Sequence, residues 1–253
     1  MTKNYGAVSH AEINLPGVSV FAAGQKVVGA EKSTPAAVKT LTAVDPTVRA
    51  ESLKLVQRLF LAPGRTAPKV AVFASSDSNR ESSWLCALAA KVLAESAPVS
   101  VCLVEGTCGA PSLPQLFGVG NHHGLMDALR QEGKIKEFAK QMAPENLWLL
   151  SGGAIAEDSV NLFHSSRMKE RIDELRREFD HVLIDAPPLS AYAEGLILGG
   201  LADGVVLVLE ANATRREAAL RVAENLRMMK IPLLGAVLSN RTFPIPAGIY
   251  KRL

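Results

Sequence analysis

A chain of 253 residues, 48% apolar and 21% charged, can bury the core of one sizeable α/β domain with an N-terminal extension. A net charge of +3 and 5% aromatic residues argue against a surface built for nucleic acid or for a membrane. No apolar run reaches the ~18 residues of a spanning helix, since Leu196–Leu209 is broken by Asp203 and three glycines.

The segment Val18–Gly24 is too short in its apolar core for a signal peptide. Three cysteines, Cys86, Cys102 and Cys108, are an odd count that fits a reducing cytosol better than a disulfide framework. Residues 1–44 have no sustained period. They read as an extended arm with short strands near Ile13–Leu15 and Val18–Phe21, or equally as a surface tail.

The remainder, 45–253, reads as one α/β domain that opens with a helix over 45–62. Asp45 is a good N-cap, Pro46 suits the first helical position, and Pro63-Gly64 closes the helix. Apolar strand-like runs then alternate with helical ones. The strands are Val70–Ala74, Val99–Val104, Leu147–Leu150, His181–Asp185, Gly204–Glu210 and Leu233–Leu238. The helices are Ser82–Ser96, Gly124–Arg130, Lys134–Gln141, Val160–Phe179, Ser190–Leu198 and Thr214–Met229. Strands this apolar and this weakly alternating are expected in a parallel sheet covered by helices on both faces.

Ligands of such sheets bind at the carboxyl ends of the strands. There, Val70–Ala89 outlines a strand, a small polar loop and a helix, the place for a nucleotide's phosphates. The strand Val182–Asp185 ends in a carboxylate that could hold a metal-bound water, although an apolar strand ending in Asp is common.

Several segments, in order, resemble one family. Phe179–Pro188 is similar to a Walker B segment. Leu201–Val208 with Thr214–Ala218 resembles the next strand and helix. Pro111–Gly118, followed by Gly124, Leu125 and Asp127, resembles the region after the second aspartate motif. Gly235–Asn240 resembles the last strand, whose Asn commonly lies near the base. The chain thus resembles, over roughly three-quarters of its length, the bacterial tyrosine kinases of polysaccharide synthesis (BY-kinases), P-loop ATPases related to the Min and Par partitioning ATPases. The fold this implies is P-loop NTPase-like, a parallel β-sheet with helices on both faces.

The family's chemistry is eroded. In its phosphate loop, G-x-x-x-x-G-K-[ST], Ser75 and Arg80 stand for the glycines and Glu81 for the lysine, while Ser82 keeps the Mg²⁺-binding hydroxyl type. Ser83 follows it. The second aspartate motif, roughly I-D-A-D-L-R-R-P, reads here Val104–Pro111, with Glu105 and Thr107 for the aspartates and no arginine. One unit charge ~4 Å from a phosphate charge is worth roughly 4 kcal/mol at an effective dielectric of ~20. Turning attraction into repulsion therefore moves binding by up to about 8 kcal/mol, and half of that is about a thousandfold.

The resemblance implies a catalytically degenerate BY-kinase-like protein, with no ATP or Mg²⁺ cofactor in ordinary use. Its implied role is as a cytoplasmic regulator or scaffold of exopolysaccharide or capsule export, recruited to the membrane by a partner. That partner would be a membrane polysaccharide co-polymerase or an active BY-kinase. The implied site positions are Asp185 as the catalytic Walker B carboxylate, and Ser75, Arg80, Glu81, Ser82, Ser83, Glu105 and Asn240 around the nucleotide, with Ser82 and Asp185 as ligands if Mg²⁺ binds. The alternative is a divergent ATPase or tyrosine autokinase that uses Arg80 and binds ATP with Mg²⁺. A partitioning ATPase acting on DNA is disfavoured by the segments quoted and by the lack of a basic stripe, so no nucleic-acid partner is expected.

The family's oligomer-forming Glu-Arg-Arg pattern is weakened to Glu51, Lys54 and Gln57, which leaves a homo-oligomer open and equally suits a solvated pair. Of the family's tyrosine cluster for phosphorylation only Tyr250 stands in the tail, which could dock on a partner or simply pack. Cys102, Cys108, His122 and His123 match no zinc spacing, and Cys102 is placed in the core. Trp84 and Cys86 read as core residues. The run Arg167–Arg177 alternates in sign and reads as a solvated helix face.

Overall fold

A computed structural model describes residues 20–25, 41, 44–64, 66–77, 81–107, 112–121, 123–154 and 159–241. The expectations at Ile13–Leu15, Arg80, Cys108, His122 and Tyr250 lie outside them. Eight strands form one sheet among the described residues: β1 (Val20–Gln25), β2 (Val70–Ser75), β3 (Val101–Glu105), β4 (Lys140–Gln141), β5 (Leu147–Leu150), β6 (His181–Asp185), β7 (Gly204–Glu210) and β8 (Leu233–Arg241). Their order is β1-β8-β7-β2-β6-β3-β5-β4. Every pairing is parallel except β4 with β5.

The parallel arrangement follows from the strands' composition. Successive residues of β2 serve opposite cores: Val70, Val72 and Ala74 pack on one side, Ala71 and Phe73 on the other. One side is closed by α1 (Pro46–Phe60) and α2 (Glu81–Ser96). The other is closed by α4 (Leu125–Arg130), α6 (Ser166–Glu178), α7 (Ala193–Leu201) and α8 (Arg216–Met228). Two short helices, α3 (Leu113–Phe117) and α5 (Ser159–Phe163), complete the set. Asp45 caps α1 as expected, its carboxylate accepting from the Thr47 amide at 2.8 Å.

Four expectations need correction. The helix expected over Lys134–Gln141 is a 3₁₀ turn, Ile135–Phe138, followed by β4. Pro144 turns the chain back, so that Met142 donates to the Leu147 carbonyl, and a hairpin edge replaces the last helical turn. The helix expected over Val160–Phe179 breaks at Ser165, whose extended backbone opens α6 and whose hydroxyl donates to the Leu162 carbonyl. Arg171 is not on a solvated face. It is buried, donating to the carbonyls of Ala128, Gln131 and Gly133 and pairing with Glu174 at 2.7 Å. The alternating signs hid this because periodicity of charge does not say which arginine meets the carboxyl end of a neighbouring helix. Trp84 is only half-buried, against the α1–α2 core, whereas Cys86 and Cys102 are fully buried.

Candidate functional site

Parallel pairing aligns the carboxyl ends of β2, β6 and β3 side by side, with the amino end of α2 next to them. Asp185 is the direct cross-strand partner of Glu105 and of Phe73, two residues before Ser75. The loop after Asp185 is stitched to the end of β2: Ala186 donates to the Phe73 carbonyl, Leu189 to that of Ser75 and Ser190 to that of Ser76. Gly106 lets the β3 exit pass closely. Its amide donates to the Asp185 carbonyl at 2.7 Å, and a Cβ there would lie 2.6 Å from Leu198 and 2.9 Å from Ile184.

The two carboxylates have different fates. Glu105 is fully buried and fully engaged. One oxygen accepts from the amides of Ser112 and Leu113, at the start of α3, and the other accepts from the Gly152 amide at 3.1 Å. Burial raises its pKa, while these amides lower it. Asp185, 3% exposed, has an oxygen Oδ1 with no hydrogen-bond partner among the described residues. Burial, with the Glu105 charge adding to it, pushes its pKa up to about 7, against the opposing hydroxyls of Ser83 and Ser112. Ser75 Oγ is also buried and has no partner. Burial holds the Cys86 thiol well above the usual range, with the Asp185 charge adding to it, and burial alone does so for Cys102. Neither is poised as a thiolate.

The positions singled out in sequence therefore divide. Ser75, Ser82, Ser83, Glu105 and Asp185 gather around the ends of β2, β3 and β6, with half-buried Glu81 as the first residue of α2. Asn240 lies three strands from Asp185 in the sheet order, roughly 14 Å at the usual spacing. Its amide donates to Glu210 at 2.9 Å. Arg80 and Tyr250 fall outside the described residues. Sequence reading missed Ser112, whose hydroxyl acts on Asp185, and the amide of Gly152. A Ser before Leu-Pro was the available signal for the short helix that brings Ser112 in.

No group of three His, Cys, Asp or Glu that could hold a metal ion occurs among the described residues. Of an ATP–Mg²⁺ group, the residues fit only the cation, through the unpartnered Asp185 oxygen. They do not fit the phosphates, because Glu81 heads α2 where a cation is needed. No helix among the described residues is long and apolar enough to cross a membrane.

No protein-family model matches the chain. Tyrosine-protein kinase YwqD of Bacillus subtilis is 31% identical over 141 residues, 56% of this chain and 60% of that protein. Putative tyrosine-protein kinase CapB of Staphylococcus aureus is 24% identical over 138 residues, again 60% of its length. The chain is a homologue of bacterial tyrosine-protein kinases. It spans about 60% of the length of these two relatives.

The kinase domain of Escherichia coli tyrosine kinase ETK superposes with a TM-score of 0.77 at 17% identity, over 91% of this chain and 93% of that one. The chimerical protein CapA2B2 gives 0.75 at 20%, over 90% and 96%. A ParA family ATPase from Chlorobium tepidum gives 0.59 at 17%, over 70% and 75%. At these identities the likeness is one of fold. The fold is the BY-kinase and partitioning-ATPase type of parallel sheet expected from the sequence.

Proposed function

We propose that this kinase homologue is catalytically degenerate and acts as a regulator or scaffold in exopolysaccharide or capsule biosynthesis. It would engage a membrane polysaccharide co-polymerase or an active tyrosine kinase. The observation that carries the reading is the acidic strand end. Glu81 stands in the position of the phosphate-loop lysine, beside two buried carboxylates, one of which is committed to backbone amides. Preorganised positive charge is the main device of phosphoryl transfer, and this chain has replaced it with negative charge.

The identity of the partner comes from the kinship with tyrosine kinases and from the resemblance to the polysaccharide branch. Magnesium-dependent ATP turnover by the purified protein that disappears in Asp185→Ala would overturn the reading. Steady-state release of phosphate no greater in the wild type than in Asp185→Ala supports it.

A second reading, a divergent ATPase using Arg80 in place of the lysine, is favoured by one observation. The unpartnered Asp185 oxygen is the seat a cation would take. It predicts saturable MgATP binding that Arg80→Ala abolishes with the fold intact.

A further inference from the structure

We propose that the pocket of Ser75 and Asp185 receives a cationic side chain, the guanidinium of an arginine presented by another polypeptide, where a P-loop protein receives phosphate. The inference rests on the reading above only in that nucleotide leaves the pocket to another ligand.

Two unsatisfied polar atoms make the case. Asp185 Oδ1 and Ser75 Oγ are both buried, on neighbouring strands, and neither has a hydrogen-bond partner. A native fold rarely leaves such atoms unpaired unless something else supplies the partner. Both can accept, and the carboxylate can do nothing else when ionised. The ligand is therefore a donor, and the charges select a cation. The charged group acting on Asp185 is another carboxylate, Glu105, and Asp77 and Glu81 bracket the turn from β2 to α2 above it. A phosphate would meet four acidic residues there.

The same geometry separates an organic cation from a divalent metal. Magnesium requires about six oxygens in near-octahedral array. Both Glu105 oxygens are already taken by the amides of Ser112, Leu113 and Gly152. That leaves one carboxylate oxygen and one hydroxyl, too few for a metal. They suit a planar guanidinium, whose forked N–H groups donate to two acceptors at once and which sheds water more readily than an ammonium.

The test uses the full chain and two short peptides, acetyl-Gly-Arg-Gly-amide and its neutral isostere with citrulline for arginine. Binding is followed by calorimetry and by the shift in thermal midpoint, with MgCl₂ alone and MgATP as further arms. The arginine peptide is expected to bind and to raise the midpoint. The citrulline peptide, and the arginine peptide on Asp185→Asn, are expected to bind about tenfold to hundredfold more weakly, the loss of one charge-assisted hydrogen bond. Glu81→Lys, which leaves the buried pair untouched, is expected to weaken the arginine peptide as well. Equal binding of the two peptides overturns the proposal, as does tighter binding of MgCl₂ alone. Peptide binding that appears only in Arg80→Ala also overturns it, because the chain would then fill its own pocket. MgATP binding that the arginine peptide does not displace overturns the degenerate-site reading and this proposal together. Failure of the peptide with no MgATP binding overturns this proposal alone.

Discussion

Two buried charges, Arg171 and Asp185, sit in the same domain and are treated in opposite ways. Arg171 donates to three backbone carbonyls and to Glu174, which in turn accepts from the Ile135 amide. The set ties the exit of α4 to α6 and to the 3₁₀ turn. Asp185 keeps one oxygen without a partner and faces a second carboxylate. A buried charge with every lone pair or proton engaged is part of the scaffold. One left incomplete at the carboxyl end of a parallel sheet marks the site.

The largest effect is expected from breaking the complete network. Arg171→Met should cost about 3–5 kcal/mol, because it strands Glu174 and three carbonyls in the interior. Urea denaturation checks this, and a loss below about 1 kcal/mol would mean that water already shares the network.

Asp185→Asn should act in the opposite direction and only above acid pH. The folded pKa of Asp185 is raised from 3.8 to about 7. Its contribution to stability is therefore complete below about pH 4 and lost as the pH rises through 7. A shift of about three units sets a ceiling of about 4 kcal/mol on the penalty in the wild type at pH 8. The variant should thus be more stable than wild type at pH 8 and nearly equal at pH 4, as read from denaturation midpoints across that range. Glu105, also raised by burial, adds to the wild-type trend in the same sense.

Glu105→Ala is the intermediate case. It frees the amides of Ser112, Leu113 and Gly152, and should cost about 1–3 kcal/mol. Its hydrogen-exchange protection should fall at those three amides, with the remote Arg171 network unchanged. Protection lost evenly over the domain would show that Glu105 is not a local staple. The smallest effect belongs to the solvated pair on α1, Glu51 with Lys54 at 2.7 Å. Lys54→Ala should move stability by less than about 0.5 kcal/mol, and a larger change measured by thermal melting would place that face in a contact.

The contrast also explains what the sequence could disclose. The strands Leu147–Leu150, His181–Asp185 and Gly204–Glu210 were legible to the residue, because strands buried on both faces leave continuous apolar runs. The carboxyl-end position of Asp185 followed from the same run. What was not legible depended on long-range partners. The role of Glu105 as an acceptor for amides seven, eight and 47 residues away has no local pattern. Arg171 looked like any member of a charged helix until the carbonyls of α4 were placed beside it. Asn240, expected near the base, is spoken for by Glu210 at the end of a more distant strand.

The central claim is that the strand-end site has exchanged phosphate for acid. Its most direct test is calorimetric titration of the full chain with ATP and ADP, at millimolar concentration with Mg²⁺. The account predicts no saturable binding heat, in wild type and Asp185→Ala alike. Saturable binding of MgATP in the wild type, lost in Asp185→Ala, would contradict it.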